Sequence, residues 1–126
     1  LRAVRPPWSA NALALAALTA VARRPEALAA AAARADAERG DLATRLAEVP
    51  GLRTWPSAAN FCLVEVTDGP RVAAALRDRG IAVRPAASFP GLGPNHLRIA
   101  AREPAANARL AEALAEVLAG EPVKAG

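Results

Sequence analysis

The chemistry-bearing residues of this chain are few, and two arginines lead them. Arg84 ends a short apolar run and Arg98 sits inside an alternating one, and the segment between them, Pro85 to Asn95, carries three prolines and two glycines. A guanidinium is a planar fork of N–H donors, so two of them converging on one cleft are suited to hold a carboxylate and a phosphate. The same pattern also fits two solvated arginines on strand edges, and spacing alone leaves both readings open. Asn60 stands just before the apolar run Phe61 to Val66, where a hydrogen bond to backbone is its default role.

The other candidates fall away. His96 is the only histidine, and no Ser or Cys nucleophile pairs with it in the sequence, so it reads as a polar residue at a strand start. Cys62, the only cysteine, lies within an apolar run and reads as a small buried hydrophobe. It cannot form an internal disulfide, and no Cys/His cluster has metal-site spacing. Gly91-Leu92-Gly93 lacks the glycine patterns that cradle phosphates. Among sixteen Lys and Arg residues the one lysine is Lys124, in a C-terminal tail that reads as frayed.

The elements that must position the arginines can be read from the pattern. From Ser9 to about Arg39 Ala and Leu dominate, predicting helices, with Ser9 as N-cap after Pro6-Pro7-Trp8 and a break near Arg24, before Pro25. Gly40 reads as a C-cap or kink and Asp41 as the cap of a continuation bearing Leu42, Leu46 and Val49. Leu52 to Trp55 is a short strand candidate, and Phe61 to Val66 is a strand apolar enough to be buried on both faces. Asp68-Gly69-Pro70 opens a helix that Gly80 closes. Ile81 to Arg84 is a further short strand. His96 to Arg102 alternates, with Leu97, Ile99 and Ala101 on one side. From Pro104 to about Leu118 the positions Leu110, Ala113, Leu114, Val117 and Leu118 form an amphipathic helix face. The sum is an α+β unit of about four short strands flanked by helices, behind a helical N-terminal part.

Composition limits the function classes. A chain of 126 residues holds one small domain, and no apolar run is long enough to span a bilayer. No secretory signal is evident, so a cytoplasmic protein without membrane partners is expected. The net charge of +4 comes from arginines interspersed with acids, and aromatics make up 3% of the chain, which argues against nucleic acid. The chain contains no Met and begins with Leu1, so it reads as a piece of something longer.

One ordered set of residues is familiar. Pro7-Trp8-Ser9-Ala10-Asn11, Arg34, Pro50-Gly51-Leu52, Ala59-Asn60-Phe61, Gly80-Ile81-Ala82-Val83-Arg84, Phe89-Pro90-Gly91-Leu92 and Leu97-Arg98-Ile99-Ala100 together resemble the C-terminal part of class I/II, fold-type I aminotransferases. The likeness is to the histidinol-phosphate aminotransferase branch, and the Phe89–Leu92 loop, Leu97–Arg102 and Asn107 resemble its cobalamin-pathway members, including threonine-phosphate decarboxylase. It runs from residue 1 to about 119.

The resemblance implies a division of labour. Residues 1–49 would connect from a large domain absent from this sequence, 50–119 would form the small α+β domain, and 120–126 a frayed tail. The large domain would supply the contacts to pyridoxal phosphate and the lysine that binds it. Arg98 matches the arginine that pairs with the substrate α-carboxylate, Arg84 matches a position that helps hold the substrate phosphate, and Asn60 is the third substrate-binding candidate. No catalytic or metal residue is expected within the chain, and its cofactor-binding residues are left open. The expected whole is a homodimeric aminotransferase or decarboxylase of a phosphorylated amino acid in cobalamin synthesis, with this chain inactive alone. The alternative is a stand-alone binding or interaction domain without catalysis.

Overall fold

A computed structural model of the chain describes residues 10–120, which form two compact units dividing between Arg34 and Ala35. Ser9, the Pro6-Pro7-Trp8 segment and Lys124 lie outside the described residues.

In the first unit, α1 (Ala12–Ala22) begins at Asn11, whose side chain accepts a hydrogen bond from the Ala14 N–H at 2.9 Å. α1 buries none of its residues. It ends at Arg23, and Pro25 opens α2 (Pro25–Ala47). The break falls where the proline predicts it, because Pro disfavours the helical region for Arg24 yet fits a first helical turn itself.

Gly40 neither caps nor ends a helix. α2 runs through it to Ala47, held by Leu42 and Leu46 in the core and by the Asp41–Arg45 pair one turn apart. Asp41 therefore binds side chains rather than capping a new helix. Tertiary anchoring outweighs the roughly 1 kcal/mol helical penalty of one glycine.

The second unit closes around a four-stranded antiparallel sheet of β1 (Arg53–Thr54), β2 (Phe61–Glu65), β3 (Arg84–Pro85) and β4 (His96–Ala100), in the order β1-β2-β4-β3. Between β2 and β3 lies α3 (Gly69–Asp78), capped by the Asp68 carboxylate accepting from the Arg71 N–H at 3.0 Å. After β4 comes α4 (Pro104–Ala119). Cys62, Val64, Leu97 and Ile99 face the core with Leu42, Leu46, Val72, Leu76, Leu114 and Val117 from the helices.

Two strand expectations change. β2 is buried on one face only, with Cys62 and Val64 buried and Phe61, Leu63 and Glu65 half-exposed, because the helices cover a single side of an antiparallel sheet. Ile81 to Val83 is not strand. The Ile81 N–H bonds back to the Leu76 carbonyl at 2.9 Å and the Gly80 N–H to Arg77 at 2.9 Å, with Gly80 at φ 72°. This left-handed glycine closure of α3 consumes the donors a strand needs.

Candidate functional site

The uncovered face of the sheet carries the polar and aromatic side chains. Residues opposite one another in antiparallel strands project to the same face, and alternate residues share it. Since Cys62, Val64, Leu97 and Ile99 point to the core, the other face holds three rows: Arg53, Glu65 and His96; Leu63, Arg98 and Arg84; Phe61 and Ala100.

Arg84 and Arg98 are thus direct cross-strand partners. Like charges so placed repel and are tolerated when something else holds or neutralises them. Among the described residues no carboxylate lies within ion-pair distance of either one, whereas Arg39, Arg45, Arg79 and Arg102 each face an acid. Aromatic rings take the place of acids. The Arg98 guanidinium carbon lies 4.7 Å from the centre of the Phe61 ring, and that of Arg84 lies 5.4 Å from the centre of Phe89.

A second cluster occupies the adjoining part of the face. Arg53 stacks over Trp55 at 4.6 Å and reaches Glu65 at 3.5 Å, and the rings of Trp55 and His96 are 5.6 Å apart. The His96 Nδ1 accepts from the Gly93 N–H at 3.1 Å, which ties the proline-glycine loop to β4 and leaves the proton of the neutral ring on Nε2. Asn60 is exposed at the head of β2, and its carbonyl accepts from the Ala101 N–H at 2.9 Å. That places Asn60 opposite a residue three beyond Arg98, outside the arginine row.

Cys62 is buried, and burial pushes its thiol pKa up, so it is not a poised nucleophile. A groove of about 330 Å³ runs between α4 and the Gly80–Val83 segment, and one of about 480 Å³ lies beside Arg53 and Glu65. Neither is lined by Arg84 or Arg98, which stand on an open sheet face. The arrangement can offer two adjacent guanidinium forks to a dianionic or two-headed oxyanion. Residues 10–120 contain no lysine.

The contacts of three residues that the resemblance had already singled out escaped sequence reasoning. Phe61 and Phe89 are the chain's two phenylalanines, and each lies beneath one of the two arginines. Their scarcity was the signal available. The third is Asn107, buried at the start of α4, whose amide joins the Arg102 N–H, the Glu38 carbonyl and the Asp41 carboxylate.

No family model matches the chain. It is 40% identical over 118 residues to histidinol-phosphate aminotransferase 2 of Bordetella parapertussis, covering 91% of this chain and 32% of that protein. It is 40% identical over 122 residues to histidinol-phosphate aminotransferase 1 of Thiobacillus denitrificans, covering 97% and 31%. The chain therefore spans about a third of the length of the curated relatives it matches. Among solved structures, L-threonine-O-3-phosphate decarboxylase from Porphyromonas gingivalis superimposes with a TM-score of 0.75 at 26% identity, over 94% of this chain and 37% of that one. A candidate aminotransferase from Burkholderia pseudomallei gives 0.73 at 40% identity, over 86% and 34%. In sequence and in fold, the chain is similar to about a third of the length of pyridoxal-phosphate-dependent enzymes of the histidinol-phosphate aminotransferase and threonine-phosphate decarboxylase kind.

Proposed function

We propose that this chain is the substrate-anion-binding part of a pyridoxal-phosphate-dependent aminotransferase or decarboxylase acting on a phosphorylated amino acid. Arg98 pairs with the α-carboxylate and Arg84 with the phosphate, while Asn60 borders the substrate from the head of β2. The observation that carries this reading is the direct opposition of Arg84 and Arg98 on one sheet face, with no acid of the described residues beside either. An oxyanion bound there removes the repulsion and uses donors that no other described residue occupies.

The cofactor and its lysine belong to a large domain outside this sequence, in keeping with the third of the relatives' length that the chain spans. The complete enzyme is a homodimer. A place in cobalamin synthesis rests on the resemblance of the Phe89–Leu92 loop, Leu97–Arg102 and Asn107 to the cobalamin-pathway members. What the chain's own residues do is bind and orient: a bidentate arginine on a carboxylate fixes the rotation of the attached carbon and hence which of its bonds is presented for cleavage. Alone, the chain catalyses nothing and gives no stoichiometric visible absorption band with pyridoxal phosphate.

Calorimetric titration of the chain with threonine phosphate and with histidinol phosphate tests the reading. Binding that weakens about tenfold or more in Arg98→Ala and in Arg84→Ala is expected, since a hydrogen bond to a charged group contributes roughly 1.5–3 kcal/mol. Equal affinity in wild type and both variants overturns it, and the stronger of the two ligands names the branch.

A further inference from the structure

We propose that Phe61 and Phe89 are positioning residues, each holding one arginine's guanidinium in place while leaving all of its donors free for an oxyanion. This rests on the anion-binding reading of the pair and adds how the pair is kept ready.

The argument begins with what can hold an arginine. An acidic partner fixes the group but neutralises it and occupies the N–H edge that a ligand needs. Solvent leaves the long side chain free to move, and ordering it must then be repeated at every binding event. A ring beneath the guanidinium does neither. All five N–H donors lie in the guanidinium plane, so a contact through its face takes up none of them, and the ring quadrupole attracts the cation without cancelling its charge.

The second unit uses both devices, and Arg53 combines them, stacking over Trp55 and reaching Glu65. Arg39, Arg45, Arg79 and Arg102 are held by acids. Arg98 and Arg84 are held by Phe61 and Phe89 at 4.7 and 5.4 Å. The chain has only two phenylalanines, and both are so used. Phe61 reaches Arg98 along the diagonal of the β2–β4 pair, because Phe61 opposes Ala100 and Leu63 opposes Arg98. Phe89 reaches Arg84 from the loop between β3 and β4, whose far end is fixed by the Gly93–His96 hydrogen bond. One arginine is therefore set by the rigid sheet and the other by a loop.

The test is ¹⁵N relaxation of the arginine Nε–Hε groups in the full chain, with inorganic phosphate as the titrant. In Phe61→Leu the Arg98 Nε becomes as mobile as a solvated arginine while backbone amides keep their positions. Phe61→Tyr, which retains the ring, restores its order. In Phe89→Leu, a substitution at an exposed loop position, the same happens to Arg84 alone. Phosphate binding weakens about threefold in each Leu variant, the scale of an exposed cation–π contact. Unchanged Nε order in a Leu variant overturns the assignment for that ring, whatever phosphate does. Loss of order together with no phosphate binding by the wild-type chain supports the ring's hold and overturns the anion-binding reading instead.

Discussion

The Asn107 side chain donates to the Asp41 carboxylate at 2.9 Å, joining α4 to α2 across 66 residues of sequence. The same amide donates to the Glu38 carbonyl at 3.0 Å and accepts from the Arg102 N–H at 2.9 Å. One buried side chain thus satisfies the backbone at the exit of β4 and fixes where α2 lies against α4. Replacing it with Ala leaves the Arg102 N–H without its acceptor and takes a donor from the Asp41 carboxylate. A loss of about 2 kcal/mol is expected, read as a lower urea midpoint at unchanged slope.

Asp41 also gives stability a pH dependence. Its carboxyl titrates below the ordinary aspartate range because Arg45 donates to it, with Asn107 adding a second hydrogen bond. A carboxyl whose folded pKa lies below its unfolded one stabilises the fold fully above the unfolded value, and that contribution is lost as pH falls through the folded value. The stability difference between wild type and Asp41→Asn should therefore be constant above about pH 5 and shrink below about pH 4. A difference independent of pH down to acid unfolding contradicts the pairing.

Two glycines predict opposite responses to alanine. At Gly69 an added Cβ would lie 2.1 Å from the Pro94 carbonyl oxygen, a backbone atom that cannot step aside, so Gly69→Ala costs about 2 kcal/mol or more. At Gly40 a Cβ meets nothing within 4 Å, and the residue is helical, so Gly40→Ala stabilises by about 0.5–1 kcal/mol. Thermal melts read both. A loss at Gly40 would restore the capping role that its sequence position invited.

These results mark how far the sequence carries. The amphipathic face of α4, the proline break at Arg24 and the Asp68 cap follow from period and cap chemistry within one turn of helix, and all three are present. Gly40 and the all-apolar look of β2 misled, since each is decided by what packs against it: Leu42 and Leu46 hold the helix through the glycine, and only one face of the sheet meets helices. The candidate arginines were legible as residue types and through family resemblance. Their opposition was not, because register depends on how the 86–95 loop folds. The rings beneath them come from β2 and from that loop, which no local pattern links to an arginine.

The last prediction concerns α1. Its eleven residues contain no charge, and Leu13, Leu15, Leu18 and Val21 are 82, 56, 63 and 47% exposed. An isolated helix of that length is marginal in water, and most helical stability in proteins comes from packing of an apolar face. A contiguous apolar surface of this kind favours association of the free chain. Sedimentation velocity should show concentration-dependent self-association of the wild-type chain. The double variant Leu13→Glu, Leu18→Glu should sediment as a monomer with the second unit's fold intact, since α1 contributes no buried residue. A wild-type chain that remains monomeric at all concentrations contradicts the expectation and shows that the apolar side chains of α1 are covered in solution by the chain itself.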